Sequence, residues 1–180
     1  MSGAHQPALD YQGKLRLRRP LMTDEAVMRA AHAEFETESF PFLFRPDLPW
    51  GEVLDEVDRD ARTEQPPGRV RSDYFVAEVG DIIVGRVSIR HALTPGLLEI
   101  GGHVGYGVRP AYRGRGYATT MLRQPIKRLL DLGVGDILVT CDQGNEASRR
   151  VIERCGGVLE DVRYLAAEAP GTRRYWITAG

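Results

Sequence analysis

The segment Val104-Gly105-Tyr106-Gly107-Val108-Arg109-Pro110-Ala111-Tyr112-Arg113-Gly114-Arg115-Gly116-Tyr117-Ala118 constrains the fold more than any other part of the chain. The run His103 to Val108 predicts a buried strand, and Pro110 follows it. From Ala118 onward, Met121, Leu122, Ile126, Leu129 and Leu130 recur at helical spacing. Between strand and helix lies a short basic turn, Arg113-x-x-Gly116-x-Ala118. Small residues let an anion approach the backbone, and the first N–H groups of a helix have no intrahelical partner. Arg113 and Arg115 add positive charge, and the backbone amides of Gly114, Gly116, Tyr117 and Ala118 are the candidates for cradling a phosphate. The P-loop Gly-Lys-Ser/Thr and the dinucleotide Gly-x-Gly-x-x-Gly are both absent from the sequence, so the anion belongs to another kind of cofactor.

The elements around this unit alternate in type. Lys14 to Arg18 predicts a first strand; a helix follows from Thr23, its expected N-cap, to about Thr37. The aromatic and proline-rich stretch Phe40 to Trp50 cannot be a long helix, and its composition suits either a loop over the core or the wall of a pocket. Trp50 to Arg62 predicts a second helix. Tyr74–Val79 and Ile82–Arg90 read as a hairpin about Gly80-Asp81, and His91 to Gly102 as a loop. After the long helix, which contains Pro125, come a strand at Asp136–Cys141, a helix at Asn145–Arg154 and strands near Val158–Leu165 and Arg173–Thr178. The order implies an α+β fold with a mixed, mostly antiparallel central sheet flanked by helices, in a single domain over residues 14–180 after a flexible tail at 1–13.

Composition excludes several classes. The chain lacks any apolar run approaching the roughly 18 residues of a membrane span, and its first residues lack the apolar stretch of a secretory signal. Two cysteines, Cys141 and Cys155, make no disulfide framework, and no Cys/His cluster has metal spacing, so a cytoplasmic setting without a metal is expected. No aromatic-basic stripe suggests nucleic acid. The net charge of −1 is uneven: Leu21 to Glu64 holds twelve acidic and four basic residues, or −8, leaving +7 for the remainder. Such a division suits a cationic substrate beside an anionic cofactor, or simply solvated helix faces.

The turn, its flanking strand and its helix resemble the GNAT superfamily of acyl-CoA-dependent N-acetyltransferases. Arg113, Gly116 and Ala118 match its Gln/Arg-x-x-Gly-x-Gly/Ala signature, and Asn145-Glu146-Ala147-Ser148 extends the likeness. Gly101–Pro110 and Arg174-Tyr175-Trp176-Ile177 are similar to a subgroup known mostly as predicted acetyltransferases. The resemblance implies a V-shaped split between the fourth and fifth strands, with acetyl-CoA as cosubstrate lying in it. Its pyrophosphate would sit at Arg113–Ala118, its pantetheine on the backbone of Val108, and Asn145 would contact the cofactor. The implied reaction is direct transfer of acetyl to a primary amine of a small molecule or peptide, in a family where homodimers are common. Many members carry a tyrosine seven residues after the asparagine as general acid; here that position is Ile152. Ser148 and Cys155 are the local candidates to replace it, and each also reads as structural. The departure also motivates the alternative of an acyl-CoA sensor with reduced catalysis. His103 is the first candidate for the base, from its place at the start of the strand entering the split and the ordinary imidazole pKa, with a satisfied structural histidine as the alternative. Glu99 and His91 are its rivals, and His32 reads as structural.

Overall fold

The computed structural model describes residues 14–38, 40–62, 64–166 and 169–178; the tail expected over 1–13 lies outside the described residues. The strands are β1 (Arg16–Arg18), β2 (Ser72–Val79), β3 (Ile82–Arg90), β4 (Val104–Val108), β5 (Asp136–Asp142), β6 (Val158–Arg163) and β7 (Thr172–Thr178). The helices are α1 (Glu25–Ala33), α2 (Trp50–Asp60), α3 (Pro95–Glu99), α4 (Tyr117–Asp131) and α5 (Glu146–Arg154).

Every ladder among the described residues is antiparallel, and the strands divide into two sheets, β1-β2-β3-β4 and β5-β7-β6. The expected split is therefore the boundary between two sheets, at β4 and β5. Two apolar clusters cover the faces of the larger sheet. One joins α4 and α5 to both sheets through Val87, Val104, Met121, Leu122, Leu129, Ile137, Val139 and Ile152. The other packs α1, α2 and the aromatic stretch against Tyr74, Val76 and Ile83. Burying each of these side chains contributes about 1.5–3 kcal/mol.

Three expectations change. The first helix ends at Ala33, not Thr37, and the chain turns through 34–38 so that Phe35 can reach the second cluster. Its start is a 3-10 turn at Met22–Asp24, where Asp24 rather than Thr23 bonds back, accepting the Leu21 N–H at 2.7 Å. The loop after β3 contains α3, capped by Thr94, whose Oγ1 accepts the Leu97 N–H at 3.3 Å. Thr94-Pro95 is the N-cap and N1 signal that marks it. Pro125 is buried within a continuous α4.

Candidate functional site

The split is closed at one end and open at the other. At the closed end the His103 N–H donates to the Leu138 carbonyl at 2.7 Å. The Leu138 N–H returns a bond to the imidazole Nδ1 of His103 at 2.9 Å. Nearby, the Gly101 N–H donates to Thr140 Oγ1 at 3.0 Å. Gly102 adopts φ +58°, and a Cβ there would lie 2.4 Å from the Leu138 carbonyl oxygen, so only glycine lets the two sheets meet so closely.

From this clasp β4 runs out along β3. The Arg90 N–H bonds His103 O and the Arg109 N–H bonds Val84 O, so the odd-numbered residues of β4 face β3. By the alternation of an antiparallel ladder, the backbone groups of Val104, Tyr106 and Val108 point to the edge that faces the split. Arg113 already occupies the Val108 carbonyl, but the remaining N–H and C=O groups of such an edge are what an extended amide-bearing ligand can satisfy.

The open end carries the basic turn. Gly114 and Gly116 lie at φ +76° and +79°, with open space where a Cβ would project, so here glycine is required by the backbone alone. Gly116 is the N-cap of α4 and makes no side-chain cap, leaving first-turn N–H groups to an incoming anion. Arg113 donates from Nε to the Val108 carbonyl at 2.9 Å and from Nη2 to Glu38 at 2.7 Å. Arg115 stands beside Tyr112, its guanidinium carbon 5.9 Å from the ring centroid. Arg109 pairs with Glu34 at 2.5 Å. The acidic segment thus reaches the basic turn directly, and much of its charge is met by arginines: Asp24 by Arg18, Asp60 by Arg69, and Asp58 by Arg19.

Inside the split, Tyr106 on β4 extends its hydroxyl to Ser148 Oγ on α5, 2.8 Å away. Burial pushes the Tyr106 phenol well above its ordinary value, so it keeps its proton. Burial also pushes the Cys141 thiol up to about 11 and raises that of Cys155, so neither is a thiolate nucleophile near neutrality. Ile152, at the position of the family's tyrosine, is completely buried in the core between the sheets and the helices. Asn145 caps α5, its Oδ1 accepting the Ser148 N–H at 2.9 Å, and this sets Ser148 in the first turn.

The two residues expected to be catalytic sit at the closed end in different circumstances. His103 is only 5% exposed, and burial lowers its pKa below 6.5. Because Nδ1 accepts the Leu138 N–H, the neutral ring carries its proton on Nε2 and has no lone pair free to take another. That geometry fits a clasp between sheets better than a base. Glu99 ends α3 with its carboxylate half-exposed, 3.7 Å from Arg163. The third imidazole, His91, is bonded through Nε2 to buried Asp73, which also accepts from Arg128 of α4. His32 accepts the Leu43 N–H, a structural bond as expected.

One charged residue escaped sequence reasoning. Arg86, in the middle of β3, is 1% exposed, and desolvation pushes its pKa down to about 10. Its head bonds Ser88 Oγ and the Pro41 carbonyl and lies 4.0 Å from the Phe40 ring centroid and 4.8 Å from that of Phe44. It fastens the aromatic stretch to the sheet. Phe40 in turn fills the space above Gly107 on β4, where a Cβ would come within 2.3 Å of its ring.

Among the described residues no group of His, Cys, Asp and Glu has the arrangement of a metal site, and no helix is long and apolar enough to cross a membrane.

Residues 14–158 match the family model of the acetyltransferase (GNAT) domain, and the chain belongs to that family of acetyltransferases. No curated protein matches it significantly. Among solved structures it is similar to Mycobacterium smegmatis RimJ in complex with CoA-disulfide, with 22% identity, 93% of this chain and 83% of that one covered, and a TM-score of 0.71. It is also similar to RimL, a ribosomal L7/L12 alpha-N-protein acetyltransferase in complex with coenzyme A, at 16% identity, 93% and 96% coverage and a TM-score of 0.68. A third is the spermidine N-acetyltransferase from Vibrio cholerae in complex with CoA and spermine, at 16% identity, 91% and 95% coverage and a TM-score of 0.66. At these identities the likeness establishes the fold.

Proposed function

We propose that the protein transfers the acetyl group of acetyl-CoA directly to a primary amine. The observation that carries this reading is the join between the open β4 edge and the glycine turn at the N-terminus of α4. The diphosphate takes the amides from Gly114 to Ala118 and the side chains of Arg113 and Arg115. The pantetheine amides pair with the edge at Val108, and Asn145 flanks the cofactor from the cap of α5.

The amine attacks the thioester carbonyl, the C–N bond forms, and the C–S bond breaks to release coenzyme A as a thiolate. Tyr106, with Ser148 bonded to it, supplies the proton to that sulfur in place of the absent tyrosine at Ile152, and regains one from the nitrogen as the amide forms. The raised thiols of Cys141 and Cys155 favour direct attack over an acyl-enzyme. With His103 engaged by Leu138, Glu99 is the remaining candidate at that end to receive the proton of the ammonium. The acceptor side is the β4 face covered by Phe40 to Phe44, opposite α4. A cytoplasmic setting suits the free cysteines, and a homodimer completes the reading.

The neighbours act on a protein N-terminus in one case and carry spermine in another, so the acceptor panel contains a seryl peptide, spermidine and lysine. Thiol release from acetyl-CoA is the measurement. Turnover with one of these amines, lost in Glu99→Gln, is expected. Tight coenzyme A binding without thiol release across a wide amine panel contradicts catalysis and favours an acyl-CoA sensor.

A further inference from the structure

We propose that the junction of α4 and α5 holds the ribose 3′-phosphate of coenzyme A, with Arg123, Arg150 and Arg154 as its cationic partners, so that the protein selects coenzyme A over pantetheine carriers that lack this phosphate. The inference rests on the acyl-CoA reading of the turn.

Coenzyme A carries its diphosphate and its third phosphate on the 5′ and 3′ oxygens of one ribose. With the diphosphate on the amides between Gly114 and Ala118, the third phosphate lies within the width of that sugar from the turn. The two flanks of the turn differ in charge. On the flank toward the end of α1, Arg109 and Arg113 are already met by Glu34 and Glu38. On the flank toward α5, Arg123, Arg150 and Arg154 are exposed, and among the described residues no carboxylate pairs with them. The carboxylates of these two helices are committed elsewhere: Glu146 and Glu153 to Arg149, Glu146 also to Arg173, and Asp131 to Lys127. A second anion therefore finds its uncompensated cations on the α5 side.

Helix packing brings these arginines to the turn. The Cys155 thiol, at the end of α5, donates to the Thr119 carbonyl in the first turn of α4 at 3.8 Å, and Arg123 reaches the same sulfur. The end of α5 thus lies against the first two turns of α4. Arg123 stands one turn beyond Thr119, and side chains on a helix lean toward its N-terminus, which carries the guanidinium back toward the diphosphate amides. A thiol is a weak partner, so the contact with Cys155 leaves the donors of Arg123 available to a phosphate. Arg154 directly precedes Cys155, and Arg150 lies one turn earlier on the same exposed strip of α5. Like charges four residues apart repel, and a phosphate in the junction relieves that repulsion. Guanidinium groups also match phosphate oxygens in pairs, which an isolated carboxylate partner does not improve upon.

The test is isothermal titration of coenzyme A and of dephospho-coenzyme A, which lacks only the 3′-phosphate, into the full chain. The proteins are wild type, Arg123→Gln, the double variant Arg150→Gln with Arg154→Gln, and Lys127→Gln. All these positions are exposed, and thermal melts verify the fold. Wild type is expected to bind coenzyme A roughly tenfold or more tightly than dephospho-coenzyme A. Arg123→Gln and the double variant are each expected to narrow that ratio by about threefold or more, with dephospho-coenzyme A bound as in wild type. Lys127→Gln, which removes an exposed cation one turn further along α4, is expected to leave the ratio unchanged. Equal affinity of wild type for the two ligands, a ratio that survives in either arginine variant, or one lowered as much by Lys127→Gln overturns the subsite while leaving the cofactor reading intact. Absence of binding of either ligand by wild type overturns both.

Discussion

The two ends of the split between β4 and β5 are built on opposite principles. The closed end is buried and is held by directional bonds between His103 and Leu138, with a glycine at 102 that admits a backbone oxygen. The open end is exposed and basic, and its glycines at 114 and 116 face open space. At the closed end a change of one methyl group meets backbone; at the open end it meets solvent. A cofactor that must be bound and released in every cycle needs the second kind of surface, whereas fixing the reacting groups needs the first.

The sharpest way to break this comparison lies between the ends, at Tyr106. Tyr106→Phe removes one hydroxyl and keeps the ring. If Tyr106 protonates the leaving sulfur, kcat falls by about 10²-fold or more, with coenzyme A affinity nearly unchanged, as steady-state kinetics and calorimetry will show. Equal loss of rate and affinity assigns the residue to packing.

Next in size are changes at the closed end. His103→Ala leaves the buried Leu138 N–H without its acceptor and opens a cavity, at an expected cost of about 2–3 kcal/mol in chemical unfolding. Gly102→Ala adds a Cβ against the Leu138 carbonyl oxygen and is expected to destabilise by at least about 2 kcal/mol. The imidazole also gives the closed end a pH signature. Its folded pKa lies below the 6.5 of a free imidazole, so the unfolded chain takes up the proton first. Its contribution is fully present above about 6.5 and is lost as the pH falls through the depressed folded value. His103→Asn removes this part of the acid dependence, measurable as a flatter profile of melting temperature against pH.

The smallest effect belongs to the open end. Gly116→Ala meets no neighbour, so its cost in stability is the left-handed backbone alone, about 1–2 kcal/mol. A larger loss at Gly116 than at Gly102 reverses the comparison.

How much of this was legible in the sequence depends on the reach of each interaction. The turn is read from residues a few positions apart, because its glycines, arginines and helix start are local. The same holds for Asn145 as the start of α5, although its side chain caps the helix in this structure. The clasp joins His103 to a backbone group 35 residues away, and a lone histidine entering a strand reads equally well as a base. Tyr106 and Ser148 are 42 residues apart, so their hydroxyl pair emerges only from the crossing of β4 and α5. The acidic segment was legible as charge, but its pairing with Arg109 and Arg113 spans 75 residues. Arg86 had the weakest signal, a cation in an apolar strand whose two nearest aromatic partners come from a loop more than forty positions earlier.

The most direct test of the account is a crystal structure of the protein with coenzyme A bound. It is expected to place the diphosphate oxygens within about 3 Å of the N–H groups between Gly114 and Ala118, and the pantetheine along the backbone edge at Tyr106 and Val108, with its sulfur beside the Tyr106 hydroxyl. Coenzyme A bound away from the turn, or a sulfur remote from Tyr106 and Ser148, contradicts it.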